Sequence, residues 1–214
     1  MCKFSEDSKR KLGNTLIYMA EHAPQLSKTK VLKLLFLMEE YMVKRYHVPF
    51  LAIPFEVWQA GPVAKDIFID LSDNGNLLCE FVKTEIIDGG AYIQALKPFC
   101  DDEFSDCEIE MMEEIIKKHG NKSAKQLVKE VHKEGSLWYN VAKRNNLLED
   151  FANGTSNNSS YIIDFYEGLH HQNIPLPDES KFTFVRTAQD IDVAIQKVFD
   201  NLKEKFDYII TDSL

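Results

Sequence analysis

The chain lacks most of the marks of catalysis, export or membrane insertion. Its 214 residues include only four cysteines. Cys2, Cys79, Cys100 and Cys107 form no Cys-x-x-Cys pair, and Cys100, Cys107 and His119 lack a recognised metal-ligand spacing. They read as free, reduced thiols. No apolar run approaches the ~18 residues of a membrane span. The N-terminal MCKFSEDSKRKLG has no signal-peptide core, so a cytoplasmic location is expected, and the sequons at Asn121 and Asn153 read as chance matches. No phosphate loop, Gly-x-Ser-x-Gly elbow or His-Glu-x-x-His occurs. Basic residues are outnumbered, 25 Lys and Arg against 34 Asp and Glu, for a net charge of -9. That balance argues against broad phosphate-backbone binding and permits a basic protein partner.

What is present is a core. Hydrophobic residues make up 44% of the chain, enough for one domain over 1–214. Its most strongly patterned stretch runs from Lys28 to Val63. Val31, Leu34, Leu35, Met38, Tyr41 and Met42 fall on one helical face, with Leu32, Phe36 and Val43 beside them. The polar stripe left over, Lys30, Lys33, Glu40 and Lys44, is narrow. A helix this apolar belongs at the centre of the fold, and Ser27 is its expected N-cap. The period then changes to an alternation over Ile53–Trp58, which predicts a strand. Gly61-Pro62 predicts a sharp corner, with glycine at an unusual φ and proline opening the next helix, whose stripe is Val63, Ile67, Phe68 and Leu71.

Around this unit the pattern predicts a first helix over Ser5–Ala23, stopped by Pro24. Strands are expected at Cys79–Ile87 and Ala91–Leu96 about a turn at Asp88-Gly89-Gly90. Together with Ile53–Trp58 they make one small antiparallel sheet. Ser105 and Glu108 form a capping box for a helix ending before Gly120. Another helix starts at Ser123, and a short one follows around Trp138–Val141. Leu147 to Ser160 reads as containing a polar loop, Asn-Gly-Thr-Ser-Asn-Asn-Ser-Ser. Tyr161–Leu169 reads as a short helix, Phe182–Val185 as a strand, and the stripe from Ile191 to Phe206 as a long helix. The resulting class is α+β, mainly helical, around a buried central helix.

Few residues invite a chemical role. His132 with His170 or His171 would be the ligands of a metal-dependent hydrolase, although adjacent histidines on a helix point about 100° apart. Structural or surface histidines are the simpler reading. Lys117, Lys118, Lys122, Lys125, Lys129 and Lys133 cluster on two helices. They read first as a solvated face, with a nucleic-acid contact patch as the alternative. Trp58 and Trp138 are either core aromatics with satisfied indole N–H groups or rigid interface anchors.

Three blocks carry a family resemblance over about residues 8–170. Lys33-Leu34-Leu35-Phe36, then Val57-Trp58-Gln59-Ala60-Gly61-Pro62-Val63, then Ser123, Leu127, His132 and Leu137-Trp138 resemble the Panacea domain. Its SocA-like and GepA-like members are often encoded in prophages and toxin–antitoxin pairs. The Trp-x-x-Gly-Pro-Val block is the most specific. Ala60 and Leu137 depart from the usual pattern, and 177–214 reads as a C-terminal extension outside it. The resemblance implies an antitoxin-like protein with no catalysis and no cofactor. It would bind a protein toxin encoded by the adjacent gene, by direct masking or by presenting it to a protease complex. The residues expected at that contact are Trp58, Gly61, Pro62, Lys65, Asp66 and Trp138.

Overall fold

In the computed structural model, residues 4–167 are described, apart from Asn74 and Asp88. The chain divides into two units, 1–172 and 173–214. The second lies outside the described residues, and with it the strand and long helix expected after Phe182; so do His170 and His171. Among the described residues there are seven helices and two separate two-stranded antiparallel sheets, an α+β fold.

Local chemistry sets the helix ends. Helix α1 (Glu6–His22) begins at Ser5, whose hydroxyl accepts from Ser8 N–H, and Glu6 and Asp7 occupy the first turn, where the helix dipole favours acids. Helix α2 (Lys28–Tyr46) begins at Ser27, which accepts from Lys30 N–H, and closes on His47 in the left-handed region at φ 58°. Leu34, Leu35, Phe36 and Met38 are almost completely buried. Strands β1 (Glu56–Trp58) and β2 (Gly61–Val63) form a tight hairpin and lead into α3 (Lys65–Asp73). Strands β3 (Val82–Ile87) and β4 (Gly90–Ala95) form a second hairpin. The remaining helices are α4 (Asp106–His119), α5 (Ala124–Val131), α6 (Leu137–Arg144) and α7 (Leu147–Asn153). The box of Ser105 and Glu108 caps α4 as expected, and Ser123 with Gln126 makes a second box on α5. α2 is central: α3, α4, α5, β2 and β4 all pack on it.

Four details differ from the sequence reading. The expected single sheet is two, because β1 pairs with β2 rather than with β3 or β4. Pro62 lies inside β2 and does not open a helix; it is paired opposite Val57, and α3 starts three residues later. Leu147–Asn153, the start of the stretch expected to hold a polar loop, is a helix. Tyr161–Leu169, expected as a helix, begins as extended chain: Val57 N–H donates to Tyr161 O and Ile163 N–H to Phe55 O, each near 3 Å. Ile162, Phe165 and Tyr166 carry helical spacing, but the outer edge of β1 offers this segment backbone partners that a lone short helix would not have. Phe165 then completes an aromatic cluster, 5.3 Å from Phe36 and 5.8 Å from Phe55.

The narrow polar stripe of α2 faces solvent only at its C-terminal end, where Lys44 is exposed. Lys30 is 3% exposed and Lys33 1% exposed. Their ammonium groups end on carbonyls, Lys30 on Pro24 O at 2.6 Å and Lys33 on Pro62 O at 2.8 Å. Glu39, also buried, accepts from the N–H groups of Leu51 and Ala52; burial pushes its carboxyl up from the ordinary range, against the pull of those bonds.

One glycine of α1 is a packing requirement. A Cβ at Gly13 would sit 2.3 Å from Cγ of Phe81 and 2.4 Å from its Cδ1. Gly13→Ala gains about 1 kcal/mol of helix propensity, yet it drives a methyl into the ring. We expect a net loss of about 1–3 kcal/mol from overpacking, read as a lower thermal midpoint and recovered by Phe81→Leu. An unchanged midpoint in the single variant would show that the ring moves aside freely.

Candidate functional site

The three sequence blocks, distant along the chain, meet at one place. Lys33 of α2 reaches the β1–β2 hairpin and donates to Pro62 O. Gly61, at φ +95°, lies so close above it that a Cβ would fall 2.8 Å from Lys33 Cε and 3.0 Å from Val131 Cγ2. From the other side, Trp138 of α6 donates its indole N–H to Trp58 O at 3.0 Å. Its ring stacks on His132, centroids 3.8 Å apart and 16° from parallel, and lies nearly parallel to Phe151 of α7. The hairpin is thus tied to α2 and α6, and further bonded to Phe151 O of α7 and to the Asn157–Tyr161 segment, with α5 packed against it.

The interior of this junction is electrostatically unusual. Burial lowers the Lys33 ammonium to about 7 by stripping away its hydration. His132 is lowered to about 4, first by burial and then by the Lys33 charge. Among the described residues its buried Nε2 has no hydrogen-bond partner. This arrangement keeps His132 a neutral stacking partner of Trp138. Among the described residues no three His, Cys, Asp or Glu side chains gather as metal ligands.

The residues expected at a contact divide into two groups. Gly61, Pro62 and Trp138 are buried. Trp58 is half-buried, with its indole N–H on the Glu56 carboxylate at 2.8 Å and its ring edge-on to Phe68. Lys65 is exposed and Asp66 half-buried. Lys65 and Asp66 border a cleft of about 260 Å³ whose walls include Ile53, Pro54, Glu56 and Ile162. Ile162 is 51% exposed. The cleft is therefore apolar at its base, with charges of both signs on its rim. Sequence reasoning missed Glu56 and Ile162 as neighbours of Lys65, since that contact depends on the late segment adding to β1. Lys33 was in view as a motif residue, and a lysine within so apolar a helix was the available signal of its burial. Of the lysines from Lys117 to Lys133, Lys122 in the α4–α5 connection is tied to Glu130 at 2.6 Å, and the others are exposed.

A family comparison agrees with the three blocks. The model of the antitoxin SocA-like Panacea domain matches residues 31–139, a span that holds most of α2, both hairpins and Trp138. The chain belongs to the Panacea-domain family. No curated protein and no solved structure matches. Membership supports an antitoxin-type role and suggests a protein partner such as a toxin. Among the described residues no helix is long and apolar enough to cross a membrane.

Proposed function

We propose that this Panacea-domain protein neutralises a toxin by binding it directly through the β1–β2 hairpin and the start of α3. The observation that carries the reading is the convergence of the three family blocks on that hairpin, whose outer side opens on the cleft beside Lys65 and Asp66. In this reading Trp58, Lys65 and Asp66 meet the partner. Gly61, Pro62 and Trp138 hold the hairpin at the height and tilt that the contact requires. The net charge of -9 suits a basic toxin. The toxin is encoded by the adjacent gene and meets this chain in the cytoplasm. Masking of its working surface or delivery to a protease then inactivates it, with no catalytic step by this chain.

Co-expression of the neighbouring gene with and without this one tests the proposal. The neighbour alone is expected to arrest growth; together the two chains should grow and copurify. With a basic toxin, Lys65→Glu should speed association by about tenfold and steepen its salt dependence, with an unchanged thermal midpoint. A harmless neighbour and no complex would overturn the proposal. Rescue that disappears in a host lacking its cytosolic proteases, with the complex still formed, would select delivery over masking.

A further inference from the structure

The β3–β4 hairpin has an open edge whose pattern matches itself. In its register Thr84 faces Ile93 and Ile86 faces Ala91. Leu96 N–H donates to Phe81 O, whereas Val82 N–H turns away to Leu78 O and Ile93 N–H to Leu26 O. Hydrogen-bonded pairs alternate along an antiparallel ladder, so the backbone groups of Thr84 and Ile86 also point away from β4. No described residue bonds them. The free edge therefore offers the N–H and C=O of Thr84 and Ile86 and the C=O of Val82. The side chains on this strand continue the core-facing alternation past the end of the core: Val82 is 4% exposed and Ile86 78%. Beside the buried end, a groove of about 220 Å³ runs between α3 and the strand, lined in part by Leu71, Leu78, Val82 and Thr84.

We propose that β3 pairs antiparallel with β3 of a second copy, about a two-fold axis at Thr84. That register sets Thr84 opposite Thr84 of the partner copy, a favourable cross-strand pair. It sets Lys83 opposite Glu85 and Glu85 opposite Lys83, so two charge pairs form across the axis. Within one chain these two side chains lie 3.6 Å apart and are about half exposed, free to exchange that contact for the cross-strand one. Ile86 falls opposite Val82, at the groove lined by Leu71 and Leu78, so each copy supplies the apolar knob that the other's groove accepts. The Val82 N–H is already used by Leu78, which leaves four backbone bonds: two at the Thr84 pair and two from Ile86 N–H to Val82 O. The two hairpins become one four-stranded sheet, an isologous contact of the kind that closes a dimer. Edge strands left open in this way invite pairing. A six-residue edge is small beside the ~1,200–2,000 Å² of a standard interface, so the dimer is a weak one, filled at high concentration.

Sedimentation velocity of the full chain over a concentration series reaching several hundred micromolar tests this. A monomer–dimer equilibrium is expected. Lys83→Glu or Glu85→Lys alone sets like charges opposite each other twice and should weaken association at least about tenfold. An equimolar mixture of these two variants restores both attractions and should dimerise as strongly as the natural chain. Ile86→Pro removes an outward N–H and the apolar knob at an edge position where proline is tolerated, and should abolish dimers while the thermal midpoint holds. If that variant fails to fold, the exposed charge variants and their mixture decide alone. A chain that stays monomeric throughout overturns the proposal, as does dimerisation indifferent to the charge reversals or not recovered on mixing. Loss of a different protein's strand from this edge on Ile86→Pro, without any self-association, also overturns it.

Discussion

Gly61→Val is expected to lower stability by about 2–5 kcal/mol, combining backbone strain of ~1–3 kcal/mol with overpacking of similar size. The residue sits at φ +95°, a region that β-branched side chains resist. Space is also closed: the first added carbon would meet Lys33 Cε at 2.8 Å, Val131 Cγ2 at 3.0 Å and Lys33 Nζ at 3.2 Å. Lys33 cannot retreat without giving up its bond to Pro62 O, and Val131 is 2% exposed within the core. Urea unfolding of Gly61→Ala and Gly61→Val, each with Lys33 and with Lys33→Ala, separates the two causes. Strain alone would give the same loss in both backgrounds; contact would make part of it vanish with the lysine. A valine variant as stable as the natural chain would show that the hairpin can lift off α2 at little cost.

The second large effect is a dependence of stability on pH. The folded Lys33 ammonium titrates near 7 instead of near 10.5. The unfolded chain therefore binds more protons there between pH 7 and 10.5, and stability rises with pH through that window. The charge penalty is fully present below pH 7 and fades as the pH approaches 10.5. One proton contributes up to about 1.4 kcal/mol per pH unit, so from pH 7 to 9 the natural chain should gain about 2 kcal/mol relative to Lys33→Met. Chemical denaturation of both proteins at pH 7, 8 and 9 reads this difference directly; parallel profiles would mean that the ammonium reaches water in the folded state. Methionine also leaves Pro62 O without its donor, which offsets part of the gain from removing a buried charge at pH 7. The slope, rather than the stability at any one pH, is the decisive quantity. His132 has the same sign in a more acidic window. Its folded value is near 4 against an ordinary 6.5, so stability falls as pH drops through that interval. Because Lys33 is charged there, Lys33→Met should raise the His132 titration seen by NMR.

Much of this molecule was determined by the sequence alone. Helices α1, α2, α4 and α5 begin at Ser5, Ser27, Ser105 and Ser123, each a hydroxyl within reach of its own first turn, and such caps act over three or four residues. The apolar stripe of α2 placed that helix at the centre because so little of its surface suits water. The family blocks, from Lys33 to Trp138, were legible as residue types at fixed spacing. Tertiary structure decided the rest, through contacts between residues far apart in the chain. Tyr161–Phe165 has the spacing of a helix, yet its backbone found unpaired N–H and C=O groups on β1, and an extended segment satisfies more of them than one isolated turn. Lys30 and Lys33 look like a solvent stripe because periodicity records only which face a residue occupies. Pro24, in the turn just before α2, and Pro62, brought over that face by the fold, supply the carbonyls that let both lysines be buried. Whether Trp58 and Trp138 stand at a surface or inside was likewise undecidable from their neighbours in sequence. The hydrogen bond from Trp138 to Trp58 O and the flat packing on His132 put one of them in the core, while Trp58 lies half-buried beside the cleft at Lys65, because only the assembled junction of α2, α6 and the β1–β2 hairpin says which side of the backbone faces water.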